Sequence, residues 1–338
     1  MFELFTIPSG KTSRQPISPF GKWGMARQRA RQILLSMPHY FGELGHLRHP
    51  RDLSAWIYYK FPYAFPLRSF PTYVTVEFTN ICNFGCKHCW RSTMVRPQGT
   101  MEVGVFEKIM DELRVRRPAV LKLGGLGEPS LHPRFSEMMA LVARETLPTM
   151  LYTNGTVFRI FPHGEILSWG LDSIVVSVDG IDGESYERTK LGGNYAALRK
   201  EVAEFYGSRE SAGPRKPRVE IRHIIMPNEG VNEILHFRKA WLGISDTVKF
   251  NYLEPATGLA DAPDPTRPKC RFIRREMSVQ WDGRVPLCGG YRGEYVGSVK
   301  DFTLAELWRH PRKEHLRRCH ERADFAEVPL CMRCLRCR

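Results

Sequence analysis

The sequence predicts an α/β fold: a partial (β/α)6 barrel, preceded by a basic helical extension and followed by a small α+β domain. Two observations carry this prediction. Strand-like and helix-like segments alternate from residue 73 to about 252, the pattern of a parallel sheet with helical crossovers. The alternation stops at a proline-rich stretch, residues 256–269, and six of the nine cysteines follow it.

Residues 1–20 are rich in Ser, Pro and Gly and are expected to be poorly ordered. Residues 22–60 read as helical, with Met25, Ile33 and Leu34 followed by Trp56, Ile57, Tyr58 and Tyr59. A basic helix with aromatics suits packing against the main domain, with docking on a membrane surface as the competing reading. Phe61 to Pro66 ends this extension, so the expected domains are 1–70, 71–255 and 256–338.

Strands are predicted at 73–78, 119–123, 149–152, 173–178, 218–225 and 247–252. Between the first two, Val103, Phe106, Ile109, Met110 and Leu113 recur at helical spacing, which predicts an amphipathic helix over 102–116. Six units are too few to close an eight-stranded barrel but fit an open one, with active-site groups at the C-terminal strand ends. Residues 277–287 read as a hairpin turning at Asp282-Gly283, and Leu304, Leu307 and Trp308 suggest a helix.

Three cysteines, Cys82, Cys86 and Cys89, follow the first strand in a CxxxCxxC run. Three thiolates on one tight loop can hold three irons of a [4Fe–4S] cluster and leave the fourth open to another ligand. A zinc loop or three buried thiols is the competing reading, although the nearby sequence offers no fourth zinc ligand. On the first strand, Val74, Val76 and Phe78 share one face, and Thr75, Glu77 and Thr79 share the other, which points into the barrel. Glu77 is thus a candidate substrate contact or a buried, paired carboxylate.

The cysteine run resembles that of the radical S-adenosylmethionine (radical SAM) superfamily, in which the amino and carboxylate groups of S-adenosylmethionine chelate the open iron. Further segments extend the resemblance. Gly124-Gly125-Leu126-Gly127-Glu128-Pro129 is similar to the family's glycine-rich segment near the methionine ammonium, where glycines allow close backbone approach and a carboxylate complements positive charge. Asn154 of Thr153-Asn154-Gly155 resembles a second contact element. Ser177 and Asp179 resemble contacts to the ribose and carboxylate, and Lys190 stands near where the family commonly carries an arginine. His88 occupies the place of an aromatic that lies against the adenine.

The later cysteines resemble the SPASM/twitch extension of some radical SAM enzymes. Cys270, Cys288, Cys331 and Cys334, spaced C-x₁₇-C-x₄₂-C-x₂-C, would ligate one auxiliary [4Fe–4S] cluster of the shorter twitch type. The same four thiolates could build a zinc ribbon. Cys319 and Cys337 remain, either as inert residues or as thiols that donate hydrogen to a substrate radical, and Cys337, which continues a CxxCxxC run, is also a candidate substitute ligand.

The resemblance implies two [4Fe–4S] clusters, S-adenosylmethionine, an external electron donor such as flavodoxin or ferredoxin, and a 5′-deoxyadenosyl radical that removes hydrogen from an unactivated C–H bond. The expected substrate is hydroxylated and carbohydrate-like. Epimerisation with Cys319 or Cys337 returning hydrogen is slightly preferred over oxidation of an alcohol to a ketone, and peptide maturation is a third reading.

The 338 residues carry a net charge of +14, concentrated in residues 1–70 with ten Lys/Arg against three Asp/Glu and in 309–338 with nine against four. An anionic small molecule, RNA or a membrane surface would complement it, as would simple solvation. With no recognisable RNA-binding module, no nucleic acid is expected. The sequence has no apolar run of membrane-span length and no apolar N-terminal stretch, so the expected location is the cytoplasm, where nine cysteines suit metal or catalysis better than disulfides.

Overall fold

The computed structural model describes residues 57, 58, 60–213, 216–253, 260, 262–264, 266–289 and 293–334. Most of the predicted N-terminal extension lies outside these residues, as does Cys337.

Seven strands form one all-parallel sheet: β1 (Tyr73–Val76), β3 (Val120–Leu123), β4 (Thr149–Thr153), β5 (Ser173–Ser177), β7 (Arg218–Ile225), β8 (Thr247–Tyr252) and β9 (Glu276–Val279). Their order across the sheet is β8-β7-β5-β4-β3-β1-β9. A two-residue strand, β2 (Gly85–Cys86), pairs antiparallel with β6 (Lys190–Leu191), placing Cys86 opposite Lys190. The helices are α1 (Val103–Arg116), α2 (Phe135–Ala143), α3 (Thr156–Ile160), α4 (His163–Ser168), α5 (Gly183–Thr189), α6 (Tyr195–Ser211) and α7 (Val231–Leu242), then α8 (Leu304–Trp308), α9 (Pro311–Arg322) and α10 (Pro329–Arg333).

Period-two alternation explains the layers. Val74, Val76, Leu121, Leu123, Leu151, Ile174, Val176, Val219 and Ile221 are fully buried, and each large apolar side chain so buried contributes about 1.5–3 kcal/mol. All five predicted apolar residues of α1 join this core, and Phe106 packs edge-on against Phe78 with ring centroids 4.8 Å apart. The helix stops at Arg117, whose left-handed φ of 48° ends it.

The C-terminal region departs from the predicted 277–287 hairpin. The turn occurs as expected, with Gly283 donating to the Gln280 carbonyl, but the strands before and after it belong to different sheets. β9 pairs parallel with β1, Tyr73 opposite Glu276 and Thr75 opposite Ser278. β10 (Arg284–Pro286) pairs antiparallel with β11 (Tyr295–Ser298). The open edge of β1 offers β9 a full row of backbone partners, and that pairing prevails over the local hairpin. The N-terminus of α8 is fastened to α1, because the Leu304 and Ala305 amides donate to the Glu112 carboxylate at 2.6 and 2.9 Å.

Candidate active site

The cysteine loop is closed at its base by a bridge between Thr79 and Thr100. Fully buried Asn80 organises its interior: its side chain accepts from the Gly99 amide and donates to the Pro97 carbonyl, both at 2.9 Å. The pairing of β2 with β6 holds the middle of the loop. Cys82 Sγ accepts from the Phe84 amide at 3.5 Å and from Asn154 Nδ2 at 3.8 Å, and Cys89 Sγ accepts from the Arg91 amide at 3.4 Å. N–H donors aimed at sulfur suit thiolate ligands. Burial pushes the Cys82 thiol up and that of Cys86 up to about 11, so a bound cation is what would displace their protons.

Several predicted cofactor contacts have partners within the protein. Glu128 does not present its carboxylate to an open site. It is fully buried, with Oε1 accepting from the Ser130 hydroxyl (2.6 Å) and Thr153 hydroxyl (2.9 Å) and Oε2 from the Asn154 amide (2.7 Å). Its role is to tie the loop after β3 to the loop after β4. Gly127 permits the contact between the first of these loops and the cysteine loop, since a Cβ there would fall on the Thr79 and Ile81 carbonyl oxygens. Gly125 lies so close to the Glu77 side chain that a Cβ would overlap it. Asn154 touches the cysteine loop directly, donating to Asn83 Oδ1 at 3.0 Å as well as to Cys82.

Asp179 is likewise inside the protein rather than at a ligand surface. Its Oδ2 lies 3.1 Å from Lys190 Nζ and 3.2 Å from His88 Nε2, and its Oδ1 accepts from the Ile224 amide at 3.1 Å. Ser177 joins this network, accepting from Lys190 at 3.0 Å and donating to Asp179. Burial alone would raise the Asp179 pKa, but the Lys190 charge and then His88 hold the carboxyl far below the usual range. His88 is thus anchored by its Nε2, while its Nδ1 is buried without a partner. It borders a concavity of about 680 Å³ with Gly180, Ile181, Met226 and Asn228 at the C-terminal ends of β5 and β7.

A second cavity, of about 330 Å³, lies between the cysteine loop, the β1–β9 edge and the C-terminal region. Thr75, Glu77 and Gly124–Leu126 form one wall, and Leu287–Gly289 with Lys313 form another. Glu77 is buried and clamped, accepting from Arg96 Nη2 (2.7 Å), the Leu126 amide (3.0 Å) and the Trp281 amide (3.3 Å). The sequence pattern does not single out Arg96 or Lys313. Inward-facing alternation on the other strands, applied as on β1, would have shown further polar groups: Lys122 with Glu276 at 3.6 Å, Arg222 with the Tyr152 hydroxyl at 3.3 Å, and Lys249 with Glu220 at 2.8 Å.

Two of the second cysteine set, Cys270 and Cys288, lie beside residues of α9. Cys270 and Cys331 are buried, and Cys288 and Cys334 are partly buried. The Cys270 amide donates to His320 Nδ1 at 3.0 Å. Lys313 is buried and donates to the Pro286 and Leu287 carbonyls, both at 2.8 Å, just before Cys288. Burial, then the nearby Arg317 charge, pulls the Lys313 ammonium down to about 7. No carboxylate pairs with it among the described residues, whereas four thiolates around an iron–sulfur cluster would supply the missing negative charge. Cys319 does not line either cavity, although Leu316, three residues earlier on α9, lines the second. Its Sγ lies 3.6 Å from His315 Nε2.

These two cysteine sets agree with two family models. Residues 76–240 match the Radical SAM superfamily, and residues 270–335 match the SPASM iron–sulfur cluster-binding domain. The chain carries a Radical SAM domain followed by a SPASM domain, and the cofactors of these domains are S-adenosylmethionine, a radical SAM [4Fe–4S] cluster and an auxiliary iron–sulfur site. It is 26% identical over 292 residues, 71% of this chain and 81% of the relative, to the tungsten-containing aldehyde ferredoxin oxidoreductase cofactor-modifying protein of Pyrococcus furiosus.

Two solved structures share the fold. Streptococcus suis SuiB bound to precursor peptide SuiA has a TM-score of 0.59 at 11% identity, covering 92% of this chain and 74% of that one. BtrN in complex with AdoMet and 2-DOIA has a TM-score of 0.51 at 14% identity, covering 78% and 92%. When bound, the clusters supply one-electron chemistry, reduction of S-adenosylmethionine and acceptance or relay of an electron. Among the described residues, no helix is long and apolar enough to cross a membrane.

Proposed function

We propose that Cys82, Cys86 and Cys89 hold the radical SAM cluster, that Cys270, Cys288, Cys331 and Cys334 hold an auxiliary cluster, and that the chain oxidises a small hydroxylated substrate bearing an anionic group. The observation that carries this reading is the shared cavity, whose walls come from the glycine-rich loop after β3 and from Leu287–Gly289. Its size of about 330 Å³ suits a small molecule. Its lining carries Arg96 and Lys313 beside Glu77 and Glu276, and with Arg96 paired to Glu77 the Lys313 ammonium is the group offered to an anion.

In this reading S-adenosylmethionine and the cluster held by Cys82, Cys86 and Cys89 would supply removal of one hydrogen atom from the substrate carbon, the auxiliary cluster held by Cys270, Cys288, Cys331 and Cys334 would accept the second electron, and the proton would pass to solvent, so that an alcohol would become a ketone. The Glu77 and Lys313 side chains orient the substrate, and the Gly124–Leu126 backbone lets it approach the cofactor. We favour oxidation over epimerisation because Cys319, one of the two candidate hydrogen donors, is absent from the cavity wall, where Cys288 is the cysteine among the described residues; Cys337 lies outside those residues. The peptide-bound SuiB fold keeps a peptide substrate as the second reading.

The test is anaerobic turnover of anionic glycosides, cyclitols and short peptides in D₂O, with 5′-deoxyadenosine and product mass followed together. A product lighter by two hydrogens supports oxidation. Solvent deuterium retained at an inverted carbon would replace it with epimerisation, and turnover confined to peptides would replace the substrate class.

A further inference from the structure

We infer that His315, Cys319 and Glu327 form a binding site for a divalent metal of the zinc type, separate from the cysteines assigned to the two clusters. His315 and Cys319 are four residues apart on α9 and therefore project from the same helical face. Ala323 ends the helix in the left-handed region at φ 57°, and the chain turns back, with the Asp324 amide donating to the Cys319 carbonyl at 2.9 Å. Phe325 and Val328 are buried and anchor the returning segment. Glu327 is thereby brought beside His315.

The three donor atoms all lie within 4.8 Å of one another. His315 Nε2 is 3.6 Å from Cys319 Sγ and 3.4 Å from Glu327 Oε2. Bonds of about 2.3 Å to sulfur and about 2.0–2.1 Å to nitrogen and oxygen at tetrahedral angles require N···S near ~3.6 Å and N···O near ~3.4 Å. Both observed separations meet this requirement, and the third pair, Cys319 with Glu327, lies within 4.8 Å, so binding would need at most a small rotation of the exposed Glu327 side chain. The imidazole, thiolate and carboxylate set suits Zn²⁺, with water in the fourth position. Binding replaces the Cys319 thiol proton, which passes to solvent.

The ion would tie α9 to the segment leading into α10, and α10 carries Cys331. It would thus clip in place the backbone that delivers a cluster ligand, a structural task rather than a catalytic one. A simple His–Glu ion pair beside a buried thiol is the alternative that the experiment must separate.

The full protein, reconstituted anaerobically with iron and sulfide, is equilibrated with micromolar Zn²⁺ and desalted, and metals are counted. The wild type is expected to retain about one zinc per chain with iron near about eight, two clusters of four. His315→Ala, altering a side chain that is 44% exposed, and Cys319→Ala should each reduce zinc to background, with any iron lost confined to the auxiliary cluster, so that iron stays at or above about four per chain. Zinc X-ray absorption should show a single sulfur neighbour. Failure of the wild type to retain zinc, or equal zinc in the wild type and His315→Ala, would overturn the site.

Discussion

Lys190 Nζ lies 3.1 Å from the carboxylate of Asp179, and the two side chains are only 3% and 1% exposed. The pair joins the β5–α5 turn to β6, whose other partner is the strand containing Cys86. Together with the 3.2 Å contact of His88 to the same carboxylate, it links the sheet electrostatically to the cysteine loop.

Replacing Asp179 with Asn removes the charge that compensates a buried ammonium. Breaking such a pair from one side costs about 3–5 kcal/mol, so Asp179→Asn should lower the denaturation midpoint of the apo-protein sharply and reduce cluster retention. Chemical denaturation measured beside iron content checks both effects.

Acid should act on the same pair. The folded Asp179 carboxyl is depressed below its ordinary value of 3.8, so its contribution to stability is fully present above about pH 4 and is lost as pH falls towards the folded value. An acid titration of the wild type should therefore be steeper below pH 4 than that of Asp179→Asn. Parallel acid limbs would contradict this assignment.

Glu128→Gln should destabilise the protein by about 1–3 kcal/mol, because an NH₂ group replaces one of two oxygens that accept only from internal donors. Because these contacts hold Asn154 beside Cys82, affinity for S-adenosylmethionine should fall too. Isothermal titration of the reconstituted enzyme tests this.

Gly127→Ala places a methyl group on the Thr79 and Ile81 carbonyls. Overpacking of this kind costs about 1–3 kcal/mol, and here it pushes against the base of the cysteine loop. Iron should drop from about eight towards about four per chain, with the auxiliary cluster retained.

Cys288→Ala should lower iron to a similar total by the opposite route, sparing the loop at residues 82–89. The variant should still cleave S-adenosylmethionine to 5′-deoxyadenosine but give little oxidised product. Full product yield would separate the auxiliary site from the reaction.

Local features were well resolved by the sequence. Each of the six predicted barrel strands occurs within two residues of its expected ends, and the predicted 102–116 helix begins one residue later. Alternation and helical periodicity are properties of short segments that face a core, so they can be read without knowing the partner. The cysteine spacings are equally local. Partner choice is different: β9 looked like half of a hairpin, yet its ladder is with β1, some two hundred residues earlier in the chain.

The sequence by itself determined the class of chemistry, because CxxxCxxC after a first strand and a glycine-rich turn after the second place thiols and a cofactor-binding backbone at the same end of a parallel sheet. Tertiary structure decided what each polar group does there. Glu128 and Asp179 became internal struts because their oxygens meet donors from other strands, and Lys313 became a buried cation beside Cys288. Cys319 lines neither cavity and lies instead beside His315 and Glu327. Hydrogen bonds and charge pairs between residues far apart in the chain depend on how its elements pack, and spacing alone does not encode that packing.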